Sequence, residues 1–529
     1  MTAVAARGTG RPAGTPEARS VRRHFSAALP TIVATIDAIA FLVIRPDVGD
    51  LQAALGREMA AAQGVGLWYW FGWFSGGTTP GHYSILSPWL TSWIGAAPAL
   101  ALATVITTPL AAKALAGTRY ATLGVWVATF TAACNMWSGR VPFALGCAAA
   151  VGAVVAIRSG RMLPTIALAV LSVLFSPVSG ALLAMVLAMT VLVERGRRRL
   201  QLAAVIAAGG CLVAELLIFG SPGPQGFSLG AALITSWTLL WFLFARPARA
   251  LRPVIIASAA LAPVLSLIPN GMGSNFPRLA WICLPAVVAA TASTRRLVAV
   301  FAIAPALVCC AEATAVDLVR AHQPTAQHAF YASLDKELDS LKIVNYRLEA
   351  VVDNNIHTAA DALITHVALA RGYETQEDNA LNAVLLSKTA LNPVSYRRWL
   401  DENAVGYIAI SKVLKNPTFE AQLINSGQLG YLTQIWTDPD WNLYRVSAAT
   451  PIVPAPETLV SASQSQMIID VPCTCRFGLR VRYSKFLAAT IPNTTVAATV
   501  ADDGTGWTVV TTPQAGRYVL QGSPTGLFR

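Results

Sequence analysis

The sequence predicts a polytopic α-helical membrane protein of about eleven transmembrane helices, followed by an extracytoplasmic region that is first α/β and then β-sandwich-like. Three observations carry this. Hydrophobic residues make up 54% of the 529 and charged residues only 12%, about half the charged share of an ordinary soluble domain. Apolar runs of bilayer length recur up to about residue 316, with Lys and Arg gathered between alternate runs. Beyond that point charges return to ordinary density and period-two segments replace the long apolar runs.

The net charge of +12 does not indicate nucleic acid, because the basic residues sit between hydrophobic spans, where membrane topology accounts for them. Cys134, Cys147, Cys211, Cys283, Cys309 and Cys310 fall in or beside apolar spans without metal-ligand spacing. No resident metal is expected. Cys473 and Cys475 would share one strand face, and a disulfide between them is left open.

Residues 1–27 are rich in Gly, Ala, Pro and Arg and have no apolar face, which predicts a disordered cytoplasmic tail. Leu29–Ile44 reads as an uncleaved signal anchor, since Arg45-Pro46-Asp47 follows it in place of a small-residue cleavage site. The expected spans are 28–44, 86–112, 120–136, 142–157, 162–175, 178–193, 200–219, 229–245, 253–269, 278–293 and 297–315, within a transmembrane domain of residues 28–316. Alternate connections contain Lys113 and Arg119, Arg158 and Arg161, Arg195 to Arg199, Arg246 to Arg252, and Arg295 and Arg296. Those connections are assigned to the cytoplasm, together with the N-terminus. Everything after about residue 316 then lies outside the plasma membrane.

The outer connections are short and rich in Gly, Pro and polar residues, as a binding face assembled from loops would be. Arg140 and Arg278 are nearly alone as arginines there. Each either snorkels at a span end or binds an anion such as a departing phosphate, with Asn275 adding a donor. Asp37 and Glu215, inside spans, are expected to hydrogen-bond a neighbouring helix.

Residues 317–450 are read as an α/β domain with strands Tyr346–Val352, Gly406–Ser411 and Trp441–Val446 and helices near 357–370, 393–403 and 419–426. In 451–529, LVSASQSQMIIDVP, FGLRVRYS, TTVAATVADDG, WTVVTT and GRYVLQG read as short strands separated by turns.

The outer loop of residues 45–85 concentrates the candidate chemistry. Asp47 and Asp50 stand at the outer end of the first span, each either a general base toward an attacking hydroxyl or a cap for the amphipathic helix that follows. Glu58 either binds a sugar hydroxyl or is a solvated helix charge. Trp70 and Trp73, within the run Trp68–Phe74, either stack on sugar rings or form an interfacial aromatic belt. His82 and Tyr83, after the turn-forming Gly76-Gly77 and Pro80-Gly81, are expected to face the same pocket.

This pattern resembles the GT-C superfamily of membrane glycosyltransferases: the acidic outer loop, Arg57-Glu58-Met59 on the following helix, the return ending in Pro80-Gly-His82, and an outer C-terminal region. Gly139-Arg140-Val-Pro-Phe143, Ser176-Pro177, Gly273-Ser274-Asn275 and Ser395-Tyr396-Arg397-Arg398-Trp399-Leu400 are similar to a group of actinobacterial GT-C-like integral membrane proteins without an assigned activity. The resemblance implies an inverting transfer of a sugar, arabinofuranose or mannose, from a polyprenyl-phosphate carrier to an envelope glycan or glycolipid. An outer-loop carboxylate, Asp50 or Asp47, would take the acceptor's proton. Family members often have adjacent acidic residues in this loop. Here Val48-Gly49 separates the two aspartates, which leaves the base unassigned and a divalent metal unsupported. Two other readings compete, a transporter or lipid flippase and an inactive GT-C-like scaffold. A transporter would place ionisable residues and broken helices near the bilayer midplane, where only Asp37 and Glu215 are found.

Overall fold

The computed structural model describes residues 16–353 and 356–527. Of the expected tail, residues 1–15 lie outside the described residues, and the first helix, Pro16–Ile44, begins well before residue 28.

Each expected span is helical in whole or part. Among the described residues, four helices are long and apolar enough to cross a membrane: Ala96–Leu115, Val141–Arg158, Arg198–Phe219 and Arg296–Ala321. A fifth is added if Ala28–Ile44 and Gly49–Ala62, bent by 73°, count as one crossing. Shorter apolar helices, Met162–Phe175, Pro177–Val191, Leu229–Ala245 and Leu251–Leu267, pack among them. The chain is a multi-pass membrane protein.

Local chemistry sets the breaks. The span expected over 86–112 is split into Ser87–Ile94 and Ala96–Leu115 by Gly95, whose φ of +87° suits a residue without Cβ. At Ser176-Pro177 the serine side chain caps the next helix and proline occupies its first position. Asp37 accepts from Trp137 Nε1 at 3.0 Å, an inter-helix bond of the expected kind. Glu215 departs from expectation. It is buried, and neither carboxylate oxygen has a hydrogen-bond partner among the described residues.

Residues after the bundle form two layers. The first is a four-stranded sheet of β1 (Arg347–Val351), β2 (Val405–Ser411), β3 (Leu432–Thr437) and β4 (Trp441–Val446) in the order β1-β2-β4-β3. Strands β1 and β2 run parallel, and the helix Pro393–Glu402 lies on their connection. Within Ser395–Leu400, Tyr396, Trp399 and Leu400 are core residues of this layer. The helix expected over 357–370 ends at Ala362, because the chain then turns to bridge Leu369 to Leu348 beside β1.

The second layer is a seven-stranded sheet in the order β5-β6-β11-β8-β9-β10-β7. Its strands are β5 (Thr458–Ala462), β6 (Gln466–Val471), β7 (Arg476–Arg482), β8 (Leu487–Thr490), β9 (Ala497–Asp502), β10 (Trp507–Thr511) and β11 (Gly516–Gly522). LVSASQSQMIIDVP is a hairpin of two strands, not one, turning at Ser463–Ser465. Alternating inward residues from both ends of the sheet, Met467, Ile469 and Leu520 against Leu479, Val481 and Val510, share one core. Cys473 and Cys475 are joined as a disulfide.

The outer loop is where the layers meet. Trp70, Trp73 and Phe74 lie in the core of the first layer with Leu334, Leu348, Leu363 and Trp441, while Tyr69 and Phe71 lie in the core of the second. Trp73 Nε1 donates to the Ala360 carbonyl at 3.0 Å and Trp70 Nε1 to Gln464 Oε1 at 2.7 Å. Both expectations for these rings fail for one reason. The loop is an inserted wedge of the C-terminal fold, so Trp70 (1% exposed) and Trp73 (0%) offer no face to lipid or sugar.

Candidate active site

A cavity of about 330 Å³ opens where the helical bundle meets the first layer, and it gathers Asp50, Tyr83, Arg140, Asn275, Arg278, Tyr373 and Glu374. Five of these were singled out from sequence. Trp281, Ile282, Cys310 and Ala313 form an apolar side, and Gln225, Ser274, Thr375 and Gln376 a neutral polar one.

Asp50 sits in the first turn of the helix Gly49–Ala62, yet no side chain caps that helix. Its carboxylate instead takes Arg140 Nε at 3.2 Å on Oδ2 and the Tyr373 hydroxyl on Oδ1. Arg140 stands at the start of the helix Val141–Arg158, immediately after Gly139. Gly139 has φ +78°, and a Cβ there would lie 2.6 Å from the Leu51 backbone nitrogen. Only glycine lets the two helix starts approach this closely, and the approach places Arg140 against Asp50. The other arm of Arg140 reaches Asp317 at 3.1 Å, so this guanidinium is shared by two carboxylates.

Arg278 differs. It lies over the Phe143 ring at 4.8 Å and forms no ion pair or hydrogen bond among the described residues. The segments that carry it are locked together: Gln225 Nε2 donates to Ser274 Oγ at 2.8 Å, and Gln376 Nε2 to the Gly223 carbonyl at 3.4 Å.

Behind the cavity wall lies a buried charge network. Arg57 pairs with Glu374 and stacks on Tyr83 at 3.7 Å. His82 Nε2 lies 3.1 Å from Glu374 and 3.6 Å from Glu377, and Thr78 donates to Glu377 at 3.0 Å. Burial alone would raise Glu374, but Arg57 and then His82 hold it down at about 2. Burial and the Glu374 charge push Glu377 up to about 7. Burial disfavours the His82 imidazolium, yet the Glu374 charge outweighs it and raises that group. His82 is thus a member of this network and not, as expected, of the cavity lining.

The donor atoms of His82, Glu374 and Glu377 lie within 4.8 Å of one another, which invites comparison with a metal site. The set does not fit a divalent ion, because Arg57 and His82 already supply the positive charge and Arg57 occupies one oxygen of Glu374. Glu457 with Cys473 and Cys475 does not fit one either, the thiols being joined.

The remaining expected residues are elsewhere. Asp47 pairs with His328 Nδ1 at 3.3 Å, and His328 Nε2 reaches Asp361 at 2.7 Å. Bonds to Asp361 and then Asp47 raise His328 to about 10 against the effect of burial, so it clamps loop to first layer as a cation. Glu58 Oε2 accepts from the Ala96 backbone at 2.6 Å and so caps the helix Ala96–Leu115. Sequence reasoning missed Tyr373, Glu374 and Asp317. Asp317 had a signal, an acid near the end of an apolar span. Tyr373 and Glu374 had none, but Gly372 places them: a Cβ at Gly372 would lie 2.7 Å from the Trp73 ring.

No family model matches the chain, and no curated protein matches it. Among the solved structures similar to it are two of one protein. One is a single-particle cryo-EM structure of the arabinofuranosyltransferase AftD from Mycobacteria, with TM-score 0.42, 13% identity, and coverage of 94% of this chain and 57% of that one. The other is a mutant of the same protein, with TM-score 0.43, 13% identity, and coverage of 94% and 60%. This chain therefore spans less than two thirds of the chains it matches.

Proposed function

We propose that this chain is a GT-C-type membrane glycosyltransferase that moves a sugar from a polyprenyl-phosphate carrier to an envelope glycan or glycolipid at the extracytoplasmic face. The observation that carries this reading is Arg278, a guanidinium without an ion pair or hydrogen bond among the described residues, in one cavity with the Asp50 carboxylate. A departing phosphate needs fixed positive charge, and a guanidinium meets it with two-pronged geometry.

In this reading the acceptor hydroxyl attacks the anomeric carbon of the donor while Asp50 takes its proton. The carbon–oxygen bond to phosphate breaks, and polyprenyl phosphate departs as an anion paired with Arg278. Arg140 and Tyr373 aim the Asp50 carboxylate. The apolar side at Trp281 and Ile282 suits the first prenyl units, and Gln225, Ser274, Asn275 and Gln376 offer hydrogen bonds to hydroxyls of a neutral sugar such as arabinofuranose or mannose. The eleven or so crossings rest on the apolar runs of bilayer length, and the cytoplasmic N-terminus and the outer placement of the C-terminal layers on the distribution of Lys and Arg.

The test is transfer in vesicles supplied with radiolabelled polyprenyl-phospho-sugar and envelope acceptor. Asp50→Asn should abolish it, by roughly a hundredfold or more, while Asp47→Asn keeps most of it. Undiminished transfer in Asp50→Asn would remove the base assignment. A reporter fused after the C-terminus should be active only outside the cytoplasm, and cytoplasmic activity would overturn the orientation.

A further inference from the structure

A second cavity, of about 260 Å³, lies in the seam between the outer loop and the seven-stranded sheet. Its floor is the outward face of two paired strands, where Gln466 of β6 stands directly across from Gln521 of β11. Both side chains are exposed and neither makes a hydrogen bond among the described residues. One wall is the half-buried Trp68, braced by Phe486 at 5.2 Å and Phe219 at 5.5 Å between ring centres. The rim is tied by Ser465 Oγ donating to the Gln63 carbonyl at 3.2 Å.

The cavity stays open because its edges lack side chains. Gly64 turns with φ +82°, and at Gly522 a Cβ would lie 3.0 Å from the Tyr69 backbone nitrogen. Among the described residues no charged side chain lines the cleft, in contrast to the cavity of Asp50, Arg140 and Arg278. It therefore offers amides, a hydroxyl and an indole, with nothing to pair an ionic ligand.

Those groups match a neutral saccharide. Amides both donate and accept toward hydroxyls, and a braced aromatic ring gives an apolar C–H face a surface to rest on. A peptide is less well served. Recognition by strand addition needs an open sheet edge, and β6 and β11 are interior strands whose backbone groups are already paired.

We propose that this seam is a carbohydrate subsite, separate from the Asp50 cavity, that holds a neutral oligosaccharide. Identifying that oligosaccharide as the acceptor glycan rests on the function proposed above. The subsite itself does not.

The experiment is calorimetric titration of the detergent-purified full chain with neutral arabinan, mannan and galactan hexasaccharides, and with oligogalacturonate as the charged counterpart. At least one neutral hexasaccharide should bind, and oligogalacturonate should not. Gln466→Ala with Gln521→Ala, both exposed, should weaken binding tenfold or more without changing the melting temperature. Asp50→Asn and Arg278→Gln should leave it unchanged. Failure of every neutral hexasaccharide to bind, or unaltered binding in the double glutamine variant, would overturn the subsite. Binding lost in Asp50→Asn but kept in the glutamine variant would move it to the other cavity. Binding that behaves as expected in a protein that transfers no sugar would keep the subsite and remove the enzymatic reading.

Discussion

Arg140 Nε lies 3.2 Å from Asp50 Oδ2, while the far arm of the same guanidinium reaches Asp317 at 3.1 Å. The fork thus links the helix starts at Gly49 and Val141 to the end of the helix Arg296–Ala321. Lysine cannot span both carboxylates, because its ammonium is a point charge without the fork. Arg140→Lys should lower kcat by about ten- to a hundredfold, with a smaller change in KM for the lipid donor. A variant that altered KM alone would show that Arg140 binds substrate and does not aim Asp50.

Arg278 should behave the other way. Removing a charged partner of phosphate costs about 1.5–3 kcal/mol, or roughly ten- to a hundredfold in affinity. Arg278→Gln should raise KM for the polyprenyl-phospho-sugar by that factor and relieve inhibition by free polyprenyl phosphate. Unchanged product inhibition would count against a phosphate at Arg278.

The acid pair beside His82 makes opposite contributions to stability. Glu377 is raised to about 7 from 4.5, so the folded chain holds a proton that the unfolded chain has lost between those values. Stability accordingly falls as pH rises through that window. Glu377→Gln keeps an acceptor for Thr78 and should flatten the fall, gaining on the order of 1 kcal/mol at pH 8. Glu374, held at about 2, contributes stability that is present above 4.5 and is lost as pH falls toward 2. Glu374→Gln would strand buried Arg57 and should cost about 3–5 kcal/mol near neutrality. Thermal melts from about pH 2 to about pH 8 read both effects, Glu374 on the acid side of 4.5 and Glu377 above it.

Gly372→Ala should destabilise by about 1–3 kcal/mol through overpacking, since its Cβ would lie 2.7 Å from Trp73 and 2.8 Å from Phe74. Tyr373 and Glu374 follow directly, so activity should fall more than stability predicts. Equal losses would mean that this turn does not position the site.

Trp73→Ala tests whether the ring is core or ligand surface. A fully buried tryptophan with its indole N–H satisfied should cost about 3–5 kcal/mol on truncation, seen as loss of folded protein. A folded variant with selectively weakened sugar binding would restore the stacking role.

Much of the site was legible in sequence. Asp50, Arg140 and Arg278 stood out because they are polar groups beside apolar spans that topology does not require, and all three line one cavity. Tyr83 and Asn275 followed from the same loops. Tyr373 was not legible, since it meets Asp50 across 323 residues and no local pattern marks that distance. The tryptophans misled for a related reason. An aromatic run beside a span is an interfacial belt by composition, and only the docking of 45–85 into the C-terminal layers makes it core.

The sequence by itself determined where most of the helices and strands form, because apolar run length and period are local properties of the chain, but it did not show β3 or the early end of the helix at Ala362. It also determined which connections are polar enough to build a site. Which aspartate meets Arg140, which carboxylates share Arg57 and His82, and where the outer loop is buried were decided by tertiary structure alone. Those outcomes depend on steric fit at glycines such as Gly139 and Gly372, and on charges that must find partners once water is excluded.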